Sequence, residues 1–183
     1  LSSSPGEDRR RSIYRPPWRV DIVCRDGVRP TLSASGIAAA VAGALDAASA
    51  PAPGSVTVVL TGDDELNELN REHLGHEGPT DVLSFPMLAP EAFGRGSKRN
   101  ERLEGLAPRH GRRTHIGDIA ISVERAAEQA AEGRGGQTGD VRWSVADELR
   151  LLVTHATLHL CGWDHAVPAD ELAMRALERR LLG

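Results

Sequence analysis

The sequence predicts an α+β fold. It reads as a single domain with a mixed sheet of about four strands, packed with about five helices, and a metal site at the end of a central helix. Three observations carry this reading. The chain has 183 residues, enough for one domain with one sizeable core. Segments rich in β-branched residues alternate with segments of helical spacing, in the order βαβαββααα. One of the helical segments ends in a cluster of histidines followed by a glycine.

Each element has a local reason. Residues 1–17 combine Ser, Pro, Gly and charge with little to bury, and read as a flexible tail. Trp18 to Cys24 alternates apolar and polar residues and reads as a strand that Asp26-Gly27 ends. Ser33 to Ala50 is Ala-rich and reads as a helix, stopped by Pro51 and Pro53. Ser55 to Thr61 reads as a strand. Glu65 to His73 follows as a helix, broken by Gly75, Gly78 and Pro79. Asp81 to Phe85 is a short strand closed by Pro86. Residues 88–114 hold Gly and Pro but few large apolar residues, and read as an inserted loop. His115 to Ser122 alternates as a strand, and Ser122 can cap a helix over about residues 123–132. A glycine-rich loop follows. Ser144 with Asp147 resembles a capping box that starts a helix running from Val145 to about Leu160. Pro168 opens a last helix through Leu182. Residues 18–183 thus form the folded domain.

Composition narrows the function. Apolar residues make up 40% and charged residues 26%, which excludes a disordered chain and a coiled coil. The net charge of −4 disfavours coating of nucleic acid through bulk charge, so RNA contact would have to be local. Seven cations between Arg95 and Arg113, including Arg99 and Arg102, face only Glu101 and Glu104; this stretch can meet phosphates. Cys24 and Cys161 are too few for a disulfide scaffold, and no Cys-x-x-Cys is present. Cys161, between Leu160 and Trp163, reads as a small buried residue rather than a ligand. No segment reads as a signal peptide, and no apolar run reaches the ~20 residues of a membrane span. A soluble, cytoplasmic protein without membrane partners is expected.

The chemistry lies in His155-Ala-Thr-Leu-His159-Leu-Cys-Gly162-Trp-Asp-His165. Histidines at i and i+4 stack on one helix face, where two imidazoles can converge on one ion. Gly162 lets the helix end, so that His165 can return as a third ligand. Three nitrogens leave a fourth tetrahedral position open, the pattern of a catalytic zinc, one per chain. The spacing also fits zinc proteases, but those need a Glu after the first His as general base; Ala156 stands there and cannot take a proton. Asp164, Asp81, Asp118 and Thr80 are further polar candidates near these segments.

At this point the sequence resembles the YbeY family of bacterial ribosomal-RNA maturation factors. The family signature H-G-x-L-H-L-x-G-Y-D-H is matched by residues 155–165, with Ala156 for Gly and Trp163 for Tyr. Pro79-Thr-Asp-Val-Leu-Ser-Phe-Pro86 looks like the family's P-T-[DN]-V-L-S-F-P, and Ile116-Gly-Asp-Ile-Ala-Ile-Ser122 like its L-G-D-I-x-I-S. The resemblance implies a metal-dependent endoribonuclease acting in ribosomal-RNA maturation and ribosome quality control. It implies zinc held by His155, His159 and His165, with ribosomal RNA and small-subunit proteins as partners. The family often has an Arg just before the Gly that follows its second helix. Leu74 stands at that position, and Arg71, one turn earlier, is the candidate RNA contact in its place. Leu74 keeps a second function open, a non-catalytic ribosome-assembly factor with a structural metal.

Overall fold

Apolar residues at every second position build the sheet. The computed structural model describes residues 7–75, 78, 80–93, 113–133, 143–164 and 167–183. Its strands are β1 (Arg9–Arg15), β2 (Trp18–Cys24), β3 (Gly54–Thr61), β4 (Val82–Pro86) and β5 (Thr114–Ser122). They form one sheet in the order β1-β2-β3-β5-β4. The inner pairs β2–β3 and β3–β5 are parallel, and both edge strands are antiparallel to their neighbours. The register places Val20 beside Val56 and Ile22 beside Val58, and Val58 in turn beside Ile119. All five are buried, so a single face of the sheet carries the main core.

The helices are α1 (Ala34–Ala47), α2 (Asp63–Leu74), α3 (Val123–Ala131), α4 (Val145–Leu160) and α5 (Pro168–Leu182). Helix α4 packs on that main face through Leu149, Leu152, Val153, Ala156 and Leu160, with α1 beside it through Ile37, Val41 and Leu45. Helix α2 covers the opposite face, where Leu66 and Leu69 meet Val59, Leu83, Phe85 and Ala120. Local signals set the starts. Ser33 caps α1 and Ser122 caps α3, each accepting a backbone N–H of the first turn. Ser144 and Asp147 form the expected reciprocal capping box on α4. Helix α1 ends at Ala47, three residues short of the expected stop, because Ser49 turns to φ +53° ahead of Pro51.

Two expectations need correction. The tail expected over residues 1–17 is in part a strand: Arg9–Arg15 pairs along the whole of β2 and raises the sheet to five strands. Its residues are exposed except Ile13, which packs on the core, so it shows no apolar alternation. Residues 1–6 lie outside the described residues. The loop expected from residue 88 also starts as packed structure. Pro90–Phe93 forms a 3-10 turn that buries Phe93 in the core. Residues 94–112, which include Arg99 and Arg102, lie outside the described residues.

Candidate metal centre

Helix α4 ends where the sequence motif says it should. Gly162 takes φ +77°, its N–H bonds the His159 carbonyl, and the Trp163 N–H bonds the Leu158 carbonyl. That pair of bonds is a Schellman motif. A side chain at 162 would also meet Pro90, whose Cβ would lie 2.9 Å from an added Cβ. A second glycine clears space for the helix. At Gly117 an added Cβ would stand 2.7 Å from Leu160 and 2.5 Å from the Phe85 carbonyl. Thus the Ile-Gly-Asp block on β5 has a packing reason: α4 crosses there. Strand β4 is tied to the same helix, with the Ser84 hydroxyl donating to the Ala156 carbonyl at 3.2 Å.

This packing turns one face of α4 outward and brings its two histidines together. The Nε2 atoms of His155 and His159 are 3.0 Å apart. Two nitrogens on one tetrahedral zinc, at bonds of ~2.05 Å, stand about 3.3 Å apart. Both rings are half-buried, so they remain reachable from solvent.

The sequence reading missed the third member of the cluster. Glu178 on α5 is 12% exposed, and its Oε1 lies 2.7 Å from His155 Nδ1. An ionised carboxylate only accepts, so Nδ1–H donates to it. The neutral ring then carries its lone pair on Nε2, the atom facing His159. This is the carboxylate–histidine arrangement that orients metal-bound imidazoles. The donor set therefore fits a zinc ion, with two imidazole nitrogens converging and one tautomer held. Among the described residues no three His, Cys, Asp or Glu side chains gather as a metal group. His165, the expected third ligand, lies outside the described residues.

The other candidates fall elsewhere. Cys161 is fully buried, and burial pushes its thiol up to about 12, so it stays protonated at neutral pH. Ala156 is also fully buried, pointing into the core, so no proton acceptor faces solvent from that position. Asp81 accepts from Gln129 at 2.8 Å, Thr80 donates to the Val82 carbonyl, and Asp118 pairs with His115 at 2.9 Å. All three have local structural partners. Asp164 is exposed just beyond the helix end. Arg71 is exposed on α2, 3.8 Å from Glu68, on the opposite face of the sheet from α4.

Comparison with known proteins gives first a class: the curated relatives of this chain are named as endoribonucleases. A protein of Symbiobacterium thermophilum named Endoribonuclease YbeY is 40% identical over 128 residues, 70% of this chain and 69% of its own length. One of Salinispora tropica with the same name is 40% identical over 127 residues, 69% of this chain and 71% of its own. The solution structure of TM1509 from Thermotoga maritima aligns with a TM-score of 0.49 at 21% identity, covering 90% of this chain and 86% of that one. The family model described as Endoribonuclease YbeY matches residues 29–183. The chain belongs to the YbeY family.

Proposed function

We propose that this protein is a zinc-dependent endoribonuclease acting in ribosomal-RNA maturation and ribosome quality control in the cytoplasm. The observation that supports it most is the imidazole pair on α4 with His155 held by Glu178. Family membership supplies RNA as the substrate class. His155, His159 and His165 would hold one zinc ion per chain. When bound, the ion supplies Lewis-acid stabilisation of phosphoryl oxygen and lowers the pKa of a coordinated water.

The chain's own residues do the rest. Glu178 keeps His155 in the tautomer whose Nε2 lone pair faces His159. The capped α4 and the Ser84 contact fix where the two rings stand. Arg71, Arg99 and Arg102 are the proposed phosphate contacts, and the ribosomal RNA and small-subunit proteins the proposed partners. No helix among the described residues is long and apolar enough to cross a membrane.

The test couples metal analysis to cleavage of ribosomal-RNA precursor. Wild-type protein is expected to carry about one metal per chain and to cut; His159→Ala should lose both. Leu74, at the position where the family often has Arg, favours a second reading, an assembly factor with a structural metal. Metal-loaded protein that cuts no RNA yet still joins ribosomal particles would select it.

A further inference from the structure

The two faces of strand β1 carry different charge. Cross-strand partners share a face, so the register sorts its side chains. Arg10, Ser12 and Tyr14 share the face of Arg19 and Asp21, where cations and acids are mixed. Arg9, Arg11 and Arg15 stand on the other face with Ile13, the face on which α1 and α4 pack. The loop that leads into α1 adds Arg29 to this side. The Val28 carbonyl accepts from Arg9 Nη2 at 2.8 Å and from Arg29 Nη1 at 3.0 Å, so two guanidinium groups stand side by side on one oxygen. Arg9 also donates to the Cys24 thiol at 3.2 Å. Arg15 donates to the Ser35 hydroxyl at 3.0 Å and to its carbonyl at 3.3 Å, in the first turn of α1. Arg11, on the strand between Arg9 and Arg15, makes no bond in the fold. All four arginines are exposed, and all their partners are neutral. Among the described residues no carboxylate pairs with any of them. Asp8 is held by Arg25, and the exposed Glu7 and Asp26 reach none of the four.

We infer that Arg9, Arg11, Arg15 and Arg29 bind the phosphate backbone of an RNA strand outside the metal centre. The inference rests on the endoribonuclease reading and adds a second RNA contact to it. Charge complementarity chooses the ligand. Four cations without acids make a local positive field on a chain whose net charge is −4. An anion placed at Arg9 and Arg29 relieves their mutual repulsion, and a guanidinium fork matches the oxygens of a phosphate. Charges on an edge strand also guard against strand pairing. That role accounts for the arginines of β1, but not for Arg29, which lies off the strand and shares the Val28 carbonyl with Arg9. An acidic peptide added to the open edge of β1 would run along the strand and leave Arg29 out of line, so the observations favour RNA. Strand β1 also precedes the matched residues 29–183, so most of this surface is not covered by the family match. It lies on the same side of the sheet as the imidazoles. Helix α1 packs against both β1 and α4 and stands between the two sites, ~10–12 Å wide with its side chains. RNA that engages both sites has to pass over α1.

Fluorescence anisotropy on the full chain tests this, using cleavage-resistant 2′-O-methyl phosphorothioate RNA of about 12 nucleotides. Arg11→Gln with Arg29→Gln is expected to weaken binding about tenfold and to reduce the salt slope by about 1.4, for two lost phosphate contacts. Arg11→Gln alone removes no bond from the fold and should reduce the slope by about 0.7. Arg10→Gln with Arg19→Gln makes the same change in net charge on the mixed face, and should leave affinity and slope nearly unchanged. Unchanged binding in the Arg11 variants overturns the inference. So does an equal loss in the two double variants, which would mean bulk charge alone. A glutamate dodecamer that competes with the RNA as strongly as unlabelled RNA does also overturns it, in favour of an acidic protein partner. Wild-type protein that binds no RNA overturns the endoribonuclease reading itself, whereas His159→Ala that binds RNA without cutting it supports a surface separate from the metal centre.

Discussion

The His155 ring is useful only in one tautomer, and Glu178 decides which. Without a carboxylate at Nδ1 the proton can move to Nε2 and remove the lone pair that faces His159. Glu178→Ala is therefore expected to weaken zinc binding about 10–100-fold, measured by competition with a chromogenic chelator. Glu178→Gln keeps an acceptor and should recover part of the loss, and nitrogen chemical shifts of His155 should show the tautomer change. Gly162 is the second residue with a sharp expectation. Its φ of +77° and the nearby Pro90 disfavour any side chain, so Gly162→Ala should cost about 1 kcal/mol or more in urea unfolding. His155, His159 and Gly162 were legible in the sequence because their logic is local, a spacing of one helical turn and a helix end. Glu178 was not. It lies 23 residues on, in a helix with other acids, and only tertiary packing separates it from a solvated charge.

Among the elements, helix starts were readable and the first strand was not. A cap involves neighbours within three residues, so Ser144 and Asp147 announce α4 before any packing is known. Ser144→Ala should lower stability by about 1 kcal/mol, read from denaturant midpoints. The same box makes part of the stability pH-dependent. The Ser144 hydroxyl, and then its backbone N–H, hold the Asp147 carboxyl below its ordinary value. A depressed carboxylate stabilises the fold fully above its unfolded value, near 4, and loses that contribution as pH falls through the lower folded value. Thermal melts between pH 5 and pH 2 should show this loss, and Ser144→Ala should flatten it. Strand β1 gave no such signal, since only Ile13 packs inward and its arginines read as tail. Strand order was hidden too. Strand β5 sits between β3 and β4, a placement set by which strands share the core with α4 rather than by chain order.

At the scale of the molecule, the bond between His155 and Glu178 joins two helices, α4 and α5. Helix α4 is packed on the core through Leu149, Leu152, Val153, Ala156 and Leu160, whereas α5 contributes only Met174 and Leu177 as buried residues and reaches the site through Glu178. An ion bound at His155 would therefore also steady α5 through the Glu178 bond. A ligand that binds the folded state alone adds about 2.7 kcal/mol at 100 times its Kd. For a chain of this size that is a rise in Tm of roughly 5–10 °C. Zinc should raise Tm by this amount in wild type and much less in Glu178→Ala, while His159→Ala should abolish the shift. Hydrogen exchange gives the matching local readout, with added zinc slowing amides of α5 as well as those of α4. If zinc raises Tm while RNA cleavage stays absent, the ion is a staple between the two helices and the assembly-factor reading gains. If cleavage and the Tm shift disappear together in His159→Ala yet Glu178→Ala keeps slow cleavage at saturating zinc, the ion serves the chemistry and Glu178 serves the ion.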